Sequence, residues 1–125
     1  MNWATFFRSF VYAARGISWV VQTQQNMRVH VAAAVTTMAM AAWFRLGGWE
    51  LAWVVTAVFL VLSAEAFNSA IEAAIDRIGP ERHPLAGAAK DAAAGAVLIL
   101  AIHAIIAGIV VFGPRILQQW KGSGL

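Results

Sequence analysis

The side chains best suited to chemistry are acidic and amide groups that follow a long uncharged segment. Residues 51–64 carry no charge, and the next polar groups are Glu65, Asn68, Glu72 and Asp76. At about 100° per residue, these four side chains fall within roughly 80° of one another around a helix. A charged residue at mid-bilayer costs on the order of 2.5–3.5 kcal/mol. A polar stripe at membrane depth therefore indicates a site that holds a metal ion, protons or a polar partner.

A second polar pair, Lys90-Asp91, stands at the start of another apolar segment, and a hairpin would bring it near the stripe. Carboxylate and amide oxygens suit Mg²⁺, which usually shares its ligands with phosphates. A lysine supplies a point charge for phosphate. The sequence has no G-x-x-x-x-G-K-[ST] loop, no HExxH pattern and no Ser/His/Asp arrangement that stands out. Ordinary nucleotide-binding folds and zinc hydrolases are therefore unsupported.

The composition indicates an integral membrane protein. The 125 residues are 61% hydrophobic and 12% charged, whereas soluble domains carry about 25% charged residues. Six Trp residues fit the water–lipid interface. A very hydrophobic soluble bundle is the alternative. The absence of cysteine excludes disulfides and thiolate chemistry, and the first residues lack the basic segment of a secretory signal peptide.

The predicted fold is all-α, with three transmembrane helices and an N-terminal amphipathic surface helix in one domain, residues 1–125. Residues 1–28 are expected to form the surface helix. The spans are expected at about 29–45, 50–75 and 85–112, with Gly113-Pro114 ending the third helix before a short polar tail. Three helices offer little interior for four polar groups, so an oligomer is expected.

Basic residues predict the orientation. Six of them lie near the N-terminus or the second connection, and three lie on the opposite side: Arg8, Arg15, Arg28, Arg77, Arg82 and Lys90 against Arg45, Arg115 and Lys121. The positive-inside rule then places the N-terminus and the polar stripe in the cytoplasm and the C-terminus outside.

Longer motifs resemble a known family. These are Glu65-x-x-Asn68-Ser-Ala-Ile-Glu72-x-x-x-Asp76-Arg77-Ile, then Glu81-x-His83-x-Leu, then Ala89-Lys90-Asp91-x-Ala-Ala-x-Ala-Val. They resemble the small bacterial membrane-bound lipid kinases, which comprise diacylglycerol kinase and undecaprenol kinase. The resemblance extends from Ser9 to Pro114, and residues 79–85 and 91–98 look closer to the undecaprenol kinase branch.

The resemblance implies a homotrimer in the bacterial inner membrane, with sites shared between subunits and no nucleic-acid partner. It implies ATP as cosubstrate, Mg²⁺ as metal and a lipid alcohol as acceptor, with undecaprenol favoured and diacylglycerol as the alternative.

The resemblance also assigns roles to residues. Glu65 would be the general base that meets the lipid hydroxyl, and Asn68 and Glu72 would hold the Mg²⁺-nucleotide. Gln24 stands where the family usually has a metal-binding Glu, and an uncharged amide would bind a second metal less well. The remaining candidates are nucleotide contacts at Asp76, His83, Lys90, Asp91, Arg8 and Tyr12, and a lipid contact at Arg28.

Two readings from other classes remain. A small proton-coupled transporter also relies on an intramembrane Glu, but such proteins typically have four spans and an isolated carboxylate. A non-catalytic assembly factor would not explain Glu65 and Glu72. Outside the stripe, His103 is interpreted as an interhelical hydrogen-bonding or interfacial residue, His30 as interfacial and Glu50 as an outward surface charge.

Overall fold

The computed structural model describes residues 2–124, which form four α-helices and no β-strand. The helices are α1 (Trp3–Thr23), α2 (Gln25–Trp43), α3 (Gly48–Ile78) and α4 (Pro84–Gly122). Within this part of the chain, α3 and α4 are the helices long and apolar enough to cross a membrane. Their 31 and 39 residues correspond to about 46 and 58 Å, more than the roughly 30 Å of hydrocarbon in a bilayer. The all-α prediction is confirmed.

The break between α1 and α2 falls at Gln24, four residues before the predicted end of the surface helix. Asn2 caps α1, since its side-chain oxygen accepts from the amides of Ala4 and Thr5. Gln24 is extended, with φ −106° and ψ 116°. Val20 on α1 and Met27 on α2 are both buried. The extended conformation of Gln24 changes the direction of the chain between them, so that each helix buries one of these side chains.

The turn from α2 to α3 is a Schellman motif. The amide of Leu46 bonds the carbonyl of Ala41, and that of Arg45 bonds the carbonyl of Ala42. Arg45 takes the left-handed conformation, with φ 53°. Leu46 is thereby buried in an apolar cluster formed by Ala41, Leu46, Val54, Val111 and Phe112. This cluster, here called the turn-end core, joins α2, α3 and α4 at the end of the molecule remote from the polar stripe.

In the described part of the chain, α3 and α4 share the largest contact of any two helices. The residues that connect them are types that favour the end of one helix and the start of the next. Gly79 ends α3 with φ 152°, a conformation that favours glycine. Pro84 opens α4, and His83 caps it by accepting at Nδ1 from the Leu85 amide at 3.1 Å. Farther along, Trp53 Nε1 donates to His103 Nε2 at 2.9 Å. The interhelical interpretation of His103 is confirmed.

The prediction that Gly113-Pro114 ends the last helix is wrong, because α4 continues through Pro114 to Gly122. Pro114 lacks an amide hydrogen and normally interrupts a helix. Arg115 ties the continued helix to α3, since its guanidinium forms an ion pair with Glu50 and also donates to the Val111 carbonyl at 2.9 Å. Glu50 is therefore half-buried and paired rather than a free surface charge.

Candidate active site

The polar stripe of α3 runs from a buried end to an exposed end. Glu65 is 2% exposed and Asn68 is 5% exposed, Glu72 is half-buried, and Asp76 is exposed. Eleven residues separate Glu65 from Asp76, about 16 Å along the helix axis. The stripe therefore presents a dry carboxylate at one end and a hydrated one at the other.

Asn68 and Glu72 form a polar pair with spare oxygen atoms. Asn68 Nδ2 donates to Glu72 Oε1 at 3.2 Å, as expected for residues four apart on one helical face. Asn68 Oδ1 is buried and accepts no hydrogen bond from any described residue. A buried acceptor without a partner costs about 1–3 kcal/mol, so this oxygen marks a position where an additional ligand would stabilise the site.

Glu65 lies between α3 and α2. Its Oε2 atom is 3.8 Å from His30 Nε2, and its own backbone carbonyl accepts from the Ser69 hydroxyl at 2.8 Å. Sequence reasoning assigned His30 to the interface and missed its proximity to Glu65. No local pattern signals this contact, because it depends on how α2 is aligned against α3.

The α3–α4 hairpin joins the exposed end of the stripe to Lys90. Lys90 Nζ donates to Asp76 Oδ1 at 2.5 Å across 14 residues of sequence. The side chains are 37% and 67% exposed, so the pair is worth at most about 1 kcal/mol to the fold. The two residues border an open cleft of about 550 Å³ that the hairpin loop also lines, with His83 on its wall.

The other predicted site residues are not bonded to this cluster in the described part of the chain. Arg8 and Tyr12 are exposed on α1, where Arg8 bonds the Ala4 carbonyl and Arg15 stacks over Tyr12. Arg28 and Asp91 are exposed on α2 and α4. Gln24 Nε2 donates to Thr23 Oγ1 at 3.4 Å. Among residues 2–124, no hydrogen bond or ion pair joins any of these five side chains to the stripe.

A metal ion would find an incomplete ligand set on one chain. No group of three or more His, Asp or Glu side chains in the described residues is arranged to hold one. The open oxygen of Asn68 and the carboxylate of Glu72 nevertheless fit Mg²⁺, which usually takes one or two carboxylates and completes its shell with water and phosphate oxygens. The donor set thus suits a metal that arrives with a nucleotide.

Taken together, the arrangement suits transfer of a charged group to an acceptor in the membrane. Glu65 is a buried carboxylate beside His30, where it is able to accept a proton from a weakly acidic group. The Asn68–Glu72 pair and Lys90 offer oxygen ligands and positive charge at successive positions toward water.

Comparison with known proteins identifies the family of the chain. The sequence model of the family described as prokaryotic diacylglycerol kinase matches residues 11–112. The undecaprenol kinase of Bacillus subtilis (strain 168) is 41% identical over 115 residues, which are 89% of this chain and 90% of that protein. The diacylglycerol kinase of Synechocystis sp. is 38% identical over 111 residues, 88% of this chain and 63% of that protein. The diacylglycerol kinase of Escherichia coli (strain K12) is 36% identical over 95 residues, 76% and 78% of the two chains.

These matches confirm the family predicted from the sequence motifs, and the match to an undecaprenol kinase is consistent with the predicted undecaprenol kinase branch. The family uses ATP as phosphate donor and is bound to membranes, in keeping with the apolar helices α3 and α4. The chain belongs to the prokaryotic diacylglycerol kinase family and is a lipid kinase.

Proposed function

We propose that this chain transfers the terminal phosphate of ATP, with Mg²⁺, to the hydroxyl of undecaprenol at the membrane surface. The acceptor is supported by the 41% identity to a protein named undecaprenol kinase over nearly the full length of both chains. Diacylglycerol is the alternative acceptor, supported by relatives named diacylglycerol kinase at 38% and 36% identity.

The observation that carries this proposal is the burial of Glu65 at the dry end of the stripe. Phosphoryl transfer depends on positioning and charge neutralisation, together with a base that accepts the proton of the attacking hydroxyl. A lipid alcohol lies at the interface, so its base has to lie just below headgroup level. Glu65, 2% exposed and beyond the uncharged segment of α3, is the carboxylate that meets this requirement.

The nucleotide end of the proposed site lies toward the hairpin. Asn68 and Glu72 would hold Mg²⁺, which neutralises phosphate charge when bound. Lys90 would exchange its exposed partner Asp76 for a phosphate oxygen at small cost, because the pair is solvated. His83 and Asp76 border the cleft of about 550 Å³ in which the rest of the nucleotide would lie.

The proposed assembly is a homotrimer in the bacterial inner membrane. α2 would be the remaining span, predicted at about residues 29–45, and α1 would lie on the cytoplasmic surface. Many large apolar side chains of α1 and α4 are exposed in one chain, as expected for surfaces covered by lipid or other subunits. Five predicted site residues have no hydrogen bond or ion pair to the stripe of their own chain in the described part of the molecule: Arg8, Tyr12, Gln24, Arg28 and Asp91. This supports a site that a neighbouring subunit completes.

The test is phosphate transfer from radiolabelled ATP by the purified protein in lipid micelles. Undecaprenol and diacylglycerol are offered separately, with and without Mg²⁺. The Glu65→Gln variant is expected to lose labelling, whereas Glu50→Gln, altered at the other end of the same helix, is expected to keep it. Labelling of diacylglycerol alone would replace the proposed acceptor. No labelling of either lipid by a folded protein would contradict the proposal and indicate a different acceptor or a role other than a kinase.

A further inference from the structure

A contact between α2 and α3 joins His30 to Glu65. The Nε2 atom of His30 lies 3.8 Å from Oε2 of Glu65, and the two side chains are 21% and 3% exposed. In the described part of the chain, the hydrogen bond at Glu65 is made by its backbone carbonyl, not by its carboxylate. The group proposed as general base therefore has a histidine as its charged partner.

The packing of the two helices fixes this contact. At the other end of the same helix pair, Ala41 on α2 and Val54 on α3 lie together in the turn-end core. Eleven residues separate Ala41 from His30 along α2, and eleven separate Val54 from Glu65 along α3. Eleven residues make about three full turns at 100° per residue, so both contacts lie on the facing sides of the antiparallel helices. The register that closes the turn-end core thus also directs the imidazole at Glu65.

Of the charged groups that act on Glu65, His30 is the one of opposite sign. Glu72 lies two turns along the same face of α3 and acts on Glu65 as a like charge, which disfavours a second negative charge. A buried carboxylate is costly in its charged form unless it is paired, yet a base has to be ionised to accept a proton. A protonated His30 is the partner that meets both conditions.

The other two helices supply no competing charge. On α4, Lys90 pairs with Asp76 at the exposed end of the stripe. On α1, Arg15 stacks over Tyr12. In the described part of the chain, neither helix contributes a charge that acts appreciably on Glu65, so the ionisation of this carboxylate depends on α2.

We propose that His30 is a positioning residue for phosphoryl transfer, which in its protonated form pairs with Oε2 of Glu65 and keeps the carboxylate ionised with Oε1 free. The inference rests on the proposed lipid kinase function and adds a residue of α2 to the site. In the step that it supports, the acceptor O–H bond breaks and its proton passes to Oε1. The acceptor oxygen bonds to the terminal phosphorus of ATP, and ADP leaves with the electron pair of the broken P–O bond. His30 acts only through Glu65.

The test compares His30→Gln with Thr37→Val in the radiolabel assay, with whichever lipid the wild type labels. Glutamine keeps a hydrogen-bond donor at this position but carries no charge. Thr37 lies seven residues along the same face of α2 and is half-buried like His30, so its replacement by valine, which has a similar shape, controls for disturbed packing. His30→Gln is expected to lower kcat at least about tenfold, a part of the roughly 10²–10⁴-fold that a general base contributes, without a change in the KM for ATP. Thr37→Val is expected to keep both values.

His30→Lys separates the effect of charge from that of shape. Lysine keeps its positive charge to higher pH than histidine does. His30→Lys is therefore expected to have a higher kcat than His30→Gln and to stay active further into the alkaline range than the wild type. Equal kcat values for His30→Lys and His30→Gln would overturn the inference, as would a wild-type kcat in His30→Gln. Similar losses in His30→Gln and Thr37→Val, with a raised KM for ATP, would assign His30 to packing alone.

Failure of this inference is distinguishable from failure of the kinase proposal. A wild-type protein that labels no lipid would refute the kinase, whereas a wild type that labels lipid beside an equally active His30→Gln would refute only the role of His30. If His30→Gln does not fold, ¹⁵N NMR of the three histidines in the wild type and in Glu65→Gln tests the contact. One imidazole is expected to change from the charged to the neutral form when Glu65 is replaced, and identical histidine spectra would overturn the inference.

Discussion

Replacing Asn68 by leucine, which has a similar shape, is expected to move stability and activity in opposite directions. Asn68 is 5% exposed, and its Oδ1 has no hydrogen-bond partner among the described residues. Its Nδ2 donates to the half-buried Glu72. An apolar side chain would remove the unpaired oxygen and this one bond together.

The two effects on the free energy of unfolding have different sizes. Removing a buried unpaired acceptor raises the free energy of unfolding by about 1–3 kcal/mol. Losing the bond to Glu72 costs about 1 kcal/mol, because water replaces the donor at a partly exposed carboxylate. Asn68→Leu is therefore expected to stabilise the fold by about 1 kcal/mol. Kinase activity is expected to fall because the proposed Mg²⁺-nucleotide site loses an oxygen ligand.

The assay is unfolding of the purified protein in mixed micelles with increasing dodecyl sulfate, paired with the radiolabel assay on the same samples. Ser69→Ala serves as the control. Ser69 is equally buried, but its hydroxyl is satisfied by the Glu65 carbonyl, so its loss brings no comparable gain in stability. A destabilisation of Asn68→Leu by about 2 kcal/mol or more would show that Oδ1 is bonded in the assembled protein, and the reasoning from an unpaired oxygen would fail.

Three further outcomes follow from the contacts described above. Lys90→Met is expected to raise the KM for ATP at least about tenfold, because a charged contact to phosphate is lost. Lys121→Met, on the last turn of α4, is expected to leave the KM unchanged, and the same KM for Lys90→Met and the wild type would show that Lys90 is not in the site. Gln24→Glu adds a carboxylate and is expected to lower the Mg²⁺ concentration for half-maximal activity about fivefold, and an unchanged Mg²⁺ titration would place Gln24 away from the metal. Trp53→Phe and His103→Leu are each expected to lower the free energy of unfolding, and the double variant is expected to lose about 1 kcal/mol less than the sum of the two single losses. Additive losses in the same unfolding assay would show that the Trp53–His103 hydrogen bond contributes nothing.

The features predicted correctly from the sequence are those that depend on neighbours along the chain. The helical content, the breakers in both turns and the clustering of the polar stripe on one face of α3 follow from periodicity and from Gly and Pro placement. The ligand-type residues were also evident, since amide and acidic groups after an uncharged segment are conspicuous whatever the packing.

The features that the sequence did not reveal depend on contacts between distant segments. Pro114 normally stops a helix, but the ion pair from Arg115 to Glu50 bridges 65 residues of sequence and holds the following turns in place. The proximity of His30 to Glu65 requires the alignment of α2 against α3, which no local pattern encodes. The break at Gln24 likewise reflects the burial of Val20 and Met27 on separate helices rather than a helix-breaking residue.

The turn-end core determines which part of the molecule is most stable against local unfolding. Its five apolar side chains tie α2, α3 and α4 together at the end opposite the stripe, while the hairpin loop and Asp76 remain exposed. Regions with few buried contacts open most readily, and those with dense packing open last. Backbone amides around Leu46 and Val111 should therefore exchange with solvent most slowly, and those of the hairpin loop most rapidly. The α3–α4 hairpin is thus fixed at the turn-end core and more mobile at its loop, so the loop would be able to adjust to the proposed nucleotide while the helices stay packed at the other end.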